Sequence, residues 1–357
     1  MADAYHVLKP RDNPSRLSLV IPLYNESEVT PILRAKMEEF LAGLPCPGEV
    51  ILVNDGSSDR TLAMLLEWAA VDPRIKVIGL ARNFGHQVAA TAGLDHASGD
   101  AVVLMDADLQ DPMDVIHEML AKYREGYDVV YGQRKRREKE SWFKRVTAWG
   151  FYRIMRTLVH PNLPVDTGDF RLISRRCLDV LCAMREQHRF LRGMVAWLGF
   201  AQTAVQYDRP SRAAGTTKYT LRSMFRLAWT AMTSFSSLPL RGILYAGVAI
   251  AMAGLAWGGY SVLRCLVYGD TIRGWASLMT VLCVLGGVVL ISNAIVGFYV
   301  GQIFEEIKQR PLYIVSSLAN LAPNSGEITS APCGETMVLP IHSHDRTTER
   351  PLWRISG

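Results

Sequence analysis

Val103-Leu-Met-Asp-Ala-Asp-Leu-Gln-Asp111 governs the reading of this chain: an apolar run typical of a buried strand ends in two alternate aspartates, Asp106 and Asp108, with Gln110 and Asp111 behind them. Side chains alternate along a strand, so carboxylates two apart at its exit converge on one side. There they can offer hard oxygen ligands to a divalent cation and leave coordination places for diphosphate oxygens. The same triplet also suits a turn or a helix cap, and Pro112 is a good first residue for a helix. The surroundings choose between these readings.

Working outward, short apolar runs rich in β-branched residues at 17–23, 49–54, 75–80, 101–106 and 128–131 predict strands. Between them, 28–44, 59–71, 86–97 and 112–124 carry apolar residues at helical spacing. Such alternation implies an α/β fold with a mostly parallel sheet, whose ligands sit at the carboxyl ends of the strands. Three polar clusters fall at such ends: Pro22 to Glu26, Asn54 to Asp59, and Asp106 to Asp111. Their coincidence on one rim favours a site over accident. Beyond Gly132 the pattern changes, to an amphipathic helix at about 141–159, a turn into a strand at 166–174, helical packing at 175–197, a late strand at 201–207 and a second surface helix at 218–236.

The 357 residues are 49% hydrophobic with mean hydropathy +0.09, and the excess is local. Residues 242–263 and 276–300 are uncharged and each reaches the ~20 residues needed to cross a bilayer as a helix. No basic, apolar leader opens the chain, so the first two thirds are expected in the cytoplasm. Basic residues before the first run, and Lys308 and Arg310 after the second, place both ends inside, with Arg264 and Arg273 opposing. The net charge of +5 gathers at 134–156 and 209–226 among aromatics such as Trp142, Trp149, Phe225 and Trp229. Beside two apolar spans, that mixture fits helices lying against anionic headgroups better than nucleic acid, and no nucleic-acid partner is expected. Cys46, Cys177, Cys182, Cys265, Cys283 and Cys333 lack metal-ligand spacing and read as small hydrophobes in a reducing compartment. The expected organisation is an N-terminal extension (1–16), an α/β domain carrying the candidate site (17–217), a juxtamembrane amphipathic helix (218–238), two membrane helices (239–304) and a largely disordered cytoplasmic tail (305–357).

Val20-Ile-Pro-Leu-Tyr-Asn-Glu26, Val53-Asn-Asp-Gly-Ser-Ser-Asp59, Ala81-Arg-Asn-Phe-Gly-His-Gln87, Met105-Asp-Ala-Asp-Leu-Gln-Asp111 and Thr167-Gly-Asp-Phe-Arg171 together resemble glycosyltransferase family two. The resemblance is strongest to its polyprenyl-phosphate glycosyltransferases, the bactoprenol glucosyltransferases and dolichol-phosphate mannose synthases, and runs from Leu17 to Arg310. It implies a GT-A nucleotide-sugar fold, a nucleotide-sugar donor, a Mg²⁺ or Mn²⁺ cofactor and a polyprenyl phosphate acceptor. It further implies inverting transfer of one hexose, glucose from UDP-glucose, to undecaprenyl phosphate at the inner, cytoplasmic membrane. GDP-mannose or a modified UDP-sugar is the alternative donor, and a non-catalytic scaffold or lipid-carrier translocation protein is the rival of another class. A Gln-x-x-Arg-Trp motif and several channel-forming spans, expected of a processive synthase, are not found in the sequence.

Carried onto this chain, the resemblance implies donor-nucleotide contacts at Pro22, Tyr24, Asn25, Glu26, Asp55, Arg82 and Ala107. Metal contacts are expected at Asp106, Asp108 and Gln110, with Asp108 foremost. Asp169 is the expected catalytic aspartate, acting with Asp108, Arg134 and Arg212. Arg134, Arg212 and Lys218 match positions for the acceptor phosphate, which arginine suits through its forked donors. A lipid phosphate is already ionised near neutral pH and needs positioning more than a strong general base. His86 reads as a helix-start residue. Glycines of the second span would let it pack against a neighbour in a homo-oligomer.

Overall fold

The computed structural model describes residues 7–134, 167–208, individual positions between 243 and 267, and 275–321. Eight strands form one sheet in the order β7-β5-β6-β4-β1-β2-β3-β8. They are β1 (Leu17–Leu23), β2 (Gly48–Asn54), β3 (Ile75–Leu80), β4 (Ala101–Leu104), β5 (Val129–Arg134), β6 (Thr167–Ser174), β7 (Gln202–Tyr207) and β8 (Val315–Ala319). The helices are α1 (Thr30–Ala42), α2 (Thr61–Val71), α3 (His86–Asp95), α4 (Asp114–Arg124), α5 (Arg175–Ala183), α6 (Leu191–Trp197) and α7 (Trp275–Ile307). The expected mixed α/β architecture with a mostly parallel sheet is thus the one observed.

Alternation within the strands fills both faces of the sheet. Leu19, Ile21, Leu52 and Val103 pack on one side with α1, α2 and α4, whereas Val20, Ile51, Val53 and Val102 pack on the other with α3, α5 and α6. Sheets covered on both faces carry near-continuous apolar strands, as here. On α4 the buried Val115, Ile116, Met119, Leu120 and Tyr123 make a stripe of helical period, and Asp114 in the first turn with Lys122 and Arg124 in the last complement the helix dipole.

Strand direction matters most for the site. β4 lies parallel to β1, and β6 runs antiparallel between β4 and β5. The register pairs Leu104 with Arg171, so residues of β6 before Arg171 extend past the carboxyl end of β4. The start of β6 therefore meets the exit of β4. On the same rim, α3 is drawn close to the sheet: a Cβ on Gly93 would lie 2.3 Å from Val20 Cγ1 and 2.9 Å from Val53 Cγ2.

Three expectations need correction or restriction. Within the tail expected to be largely disordered, β8 pairs with the β3 edge; Ser316 Oγ donates to Gly79 O (3.0 Å), and Asn320 Nδ2 donates to Ala69 O (2.7 Å) and Ile75 O (2.8 Å). A five-residue strand with no apolar period of its own is specified by the open edge it joins, which no local pattern reveals. The helical stretch expected at 175–197 is two helices, α5 and α6, separated by a loop. Of the expected spans, the second is continuous within α7, where Leu285–Ile307 is long and apolar enough to cross a membrane. Described positions between 243 and 267 are helical, but a two-helix hairpin is not established by them, and the expected helices at 141–159 and 218–238 lie outside the described residues.

Gly93→Leu is expected to destabilise the domain by about 1–3 kcal/mol through overpacking against the stiff valines of β1 and β2. Urea unfolding measures it, and Gly85→Ala, where no atom lies within 4 Å but φ is +97°, should cost less than this steric clash.

Candidate active site

Asp106 leaves β4 immediately after Met105, whose N–H still donates to Val20 O (3.1 Å) and so keeps the chain extended. The acidic loop then turns sharply. Asp108 Oδ1 accepts from the N–H of Gln110 (3.1 Å), the bond of an Asx turn, and Leu109 takes a left-handed φ of 57°. A non-glycine residue in that region is held by its surroundings, and such strain gathers at functional sites. Asp111 does the holding: its Oδ2 accepts from Asp106 N (3.4 Å) and its Oδ1 from Tyr207 Oη (2.8 Å). Asp111 is buried, whereas Asp106 and Asp108 are half-buried. The loop thus turns one carboxylate inward as a prop and keeps two at the rim.

The reversed β6 supplies the facing group. Asp169, 5% exposed, accepts from Arg192 Nε at Oδ1 (2.7 Å) and from Gln87 Nε2 at Oδ2 (3.1 Å). His86 Nε2 lies 3.2 Å from Asp169 Oδ2 and 3.5 Å from Asp106 Oδ1, bridging the two carboxylates. Burial alone would raise the Asp169 pKa, but the Arg192 charge and the His86 contact hold it well below the usual carboxylate range. Asp106 moves the other way: desolvation raises it, with His86 opposing and Asp169 and Asp108 adding like-charge repulsion. For His86, burial opposes protonation, yet the hydrogen bond to Asp169 and the charges of Asp106 and Asp169 lift the imidazole to about 9. Beneath them the buried Arg171 guanidinium donates to Asp169 O (3.3 Å) and Gly168 O (3.2 Å), and burial lowers its pKa to about 10.

The residues expected at the nucleotide line the neighbouring strand exits. Pro22 is buried at the end of β1, Tyr24 is 39% exposed, and Asn25 adopts a left-handed φ of 53°. Asn25 Oδ1 accepts from Ser58 N (2.9 Å) and Thr61 Oγ1 accepts from Glu26 N (3.0 Å), tying the first rim loop to the second. Asp55 is 3% exposed, and its two oxygens accept from the N–H groups of Phe84 (2.7 Å) and Gly85 (2.9 Å). Desolvation raises its pKa against those bonds. The close approach that Gly56 permits is to the chain itself: at φ +63° a Cβ there would sit 2.3 Å from Arg82 C. Arg82 is exposed with its guanidinium 4.0 Å from the Phe84 ring centre, and Ala107 is buried between the two rim aspartates.

Asp106, Asp108 and Asp169 are therefore brought to one rim with the loops expected to hold the nucleotide. Arg134 closes β5 opposite Tyr207 in register. Arg212 and Lys218 lie outside the described residues. Among the described residues no three His, Cys, Asp or Glu side chains form a metal-holding group. Two rim carboxylates that repel each other still fit Mg²⁺ or Mn²⁺, since magnesium commonly takes one or two carboxylates and completes its shell with substrate phosphates and water. His86 needs correction: it does begin α3, but it also bridges Asp106 and Asp169. Gln87, Arg192 and Tyr207 were likewise not singled out. Only the position of His86 and Gln87 after β3, on the same rim as the other clusters, was a signal for them.

The model of the family described as "Glycosyl transferase family 2" matches residues 18–181. Glycosyltransferase YkcC of Bacillus subtilis is 43% identical over 84% of this chain and 92% of its own. The SfII prophage-derived bactoprenol glucosyl transferase of Shigella flexneri is 38% identical over 84% and 97%. The prophage bactoprenol glucosyl transferase homolog of Escherichia coli K12 is 36% identical over 84% and 98%.

The His86 shift fixes a pH dependence. Because its folded pKa is raised, the stability from the charged imidazole is fully present below the ordinary value near 6.5 and is lost as pH rises through about 9. NMR titration of the ligand-free protein should place the His86 midpoint near 9, and Asp106→Asn should lower it. A midpoint near 6.5 in both proteins would contradict the bridge.

Proposed function

The chain belongs to glycosyl transferase family 2, and we propose that this glycosyltransferase moves one glucose from UDP-glucose to undecaprenyl phosphate, with inversion, at the cytoplasmic face of the inner membrane. The observation that carries the reading is the assembly of Asp106, His86, Asp169 and Arg192 on the strand rim beside Asp108. The full-length similarity to bactoprenol glucosyl transferases supports the lipid acceptor and the sugar. Membrane association is supported by α7, whose apolar side chains Leu290, Ile291 and Ile303 are exposed. We place a second span at 242–263.

In this reading Pro22, Tyr24, Asn25 and Glu26 hold the base and ribose side of the donor, with Asp55 and Arg82 closing it. Asp55 orders the 84–85 turn through both oxygens and has unused lone pairs for a base N–H. Asp106 and Asp108, with Gln110, would hold Mg²⁺ or Mn²⁺, which when bound supplies counter-charge for the leaving diphosphate. Arg134, Arg212 and Lys218 position the acceptor phosphate. Its oxygen attacks the anomeric carbon on the face opposite the diphosphate, so an α-linked donor gives a β-linked product. Asp169 is a poor proton acceptor here, because three donors stabilise its charged form. Its work is to hold His86 and Arg192 in place, and an ionised acceptor requires no stronger base.

Membranes containing the protein, incubated with undecaprenyl phosphate and a panel of radiolabelled nucleotide sugars, should yield a labelled lipid with UDP-glucose; labelling from another donor alone would reassign the sugar. Asp108→Asn should nearly abolish transfer while the fold persists, and chelation of the wild type should mimic it. Full activity in chelator would remove the metal from the reaction. Arg134→Ala and Arg212→Ala should weaken dependence on the lipid phosphate with calorimetric nucleotide affinity unchanged, and lysine at either position should rescue only in part.

A further inference from the structure

We infer that Glu306 and Gln187 are positioning residues, through which the C-terminal end of α7 fixes the loop that aims Arg192 at Asp169. The inference rests on the transfer reaction proposed above. Glu306 Oε1 accepts from the N–H of Gln187 (2.8 Å), and the Gln187 side chain donates back to Arg310 O (2.7 Å). Glu306 in the last turn of α7 and Arg310 just beyond that helix therefore hold the loop between α5 and α6 at two points. The same loop is tied to α3, since Arg185 Nη1 donates to Asp95 Oδ2 (2.7 Å), and Tyr313 Oη donates to that oxygen (2.9 Å) from the segment leading into β8. Asp95 is the last residue of α3, and His86 and Gln87 are its first.

The loop continues directly into the site. Arg189, 7% exposed, donates to Met184 O (2.5 Å) and folds the loop onto itself. Leu191 N then donates to Gln87 Oε1 (3.0 Å) before Arg192 reaches Asp169. The Gln87 amide is held in one orientation, since its nitrogen donates to Asp169 and its oxygen accepts from Leu191. The link from Glu306 thus passes by hydrogen bond to Gln187, along the loop backbone to Leu191 and Arg192, and by hydrogen bond again to Gln87 and Asp169. Without it, only residues 308–312 would join α7 to the part of the chain that Tyr313 and Ile314 fix to the domain, with a reach of roughly 12 Å for a flexible linker of that length. A lipid phosphate presented at a fixed depth must meet a site held at a fixed height. The joint between α7 and the loop supplies that constraint. The contacts between Gln187, Glu306 and Arg310 are solvent-exposed, so their loss should leave the fold intact and be read in the reaction.

The test uses the full chain in lipid nanodiscs with UDP-glucose and undecaprenyl phosphate, and follows amide hydrogen exchange over 187–192 in parallel. Glu306→Ala should lower kcat about tenfold, the scale of a slightly misplaced catalytic group, with nucleotide affinity unchanged and exchange in 187–192 accelerated. Gln187→Ala, which keeps the backbone bond to Glu306, should do the same more weakly. Glu306→Gln should stay near wild type in both measurements, because its amide oxygen still accepts from Gln187 N. Wild-type kcat and exchange in Glu306→Ala would overturn the inference. So would a loss in Glu306→Gln equal to that in Glu306→Ala, or a kcat loss with no change in exchange. Should the wild type transfer no sugar at all, the proposed function fails, and the exchange rates alone decide the joint.

Discussion

A desolvated carboxylate sets the terms for this structure. Asp169 is nearly buried, and a charge taken from water must be paired or neutralised. Its partners arrive from separate elements: His86 and Gln87 from the start of α3, Arg192 from α6, and the Arg171 guanidinium against its main chain. Each partner is in turn held elsewhere, through the contact of α3 with Val20 and Val53 at Gly93 and through the bond from Leu191 to Gln87. The rim is therefore stiff where the chemistry is read, and Asp106 feels that stiffness through His86. The result is an acidic rim whose inner member stays charged while Asp106 is pushed toward protonation, an imbalance that a bound cation would relieve.

Much of the fold was legible locally. The β1 and β3 boundaries coincide with the apolar runs at 17–23 and 75–80, because strands covered on both faces need uninterrupted hydrophobic residues. Asp106 and Asp108 were legible for the same reason, as polar residues placed where such a run stops. The neighbourhood of Asp169 was not. Its side chain shares His86 with Asp106 only because β6 enters the sheet backwards beside β4, a pairing between segments about 70 residues apart that leaves no periodic trace in either. The second role of His86 was hidden for a related reason: a histidine at a helix start acquires further meaning only from what the opposite strand brings to it. The strand in the tail was hidden because its partner edge, and not its own composition, specifies it.

The site is also buttressed by groups that never face a ligand. Asp111, following the rim aspartates in sequence, turns away from them to bind Tyr207 at the end of β7. Tyr207 in turn packs edge-on against Phe170, the neighbour of Asp169, with ring centres 5.7 Å apart. The acidic loop and the start of β6 thus share one aromatic support, and the two halves of the rim are coupled below the surface. Read as a motif, the cluster of aspartates suggests a uniform set of ligands. In three dimensions it contains one buried prop, Asp111, and two half-buried carboxylates left at the rim, Asp106 and Asp108.

The position of β8 bears on how the protein is made. Among the described residues it is the last strand; it follows α7 and supplies the outer partner of β3. A ribosome releases the chain from its N-terminus, and domains begin to fold as they emerge. The sheet must then wait with the β3 edge open until the long apolar helix has been synthesised and has left the exit tunnel. An open edge is a template for wrong pairing. Completion of the sheet is thereby made contingent on synthesis of the segment beyond α7: a nascent chain stalled before it would carry an unfinished domain, vulnerable to proteases and aggregation.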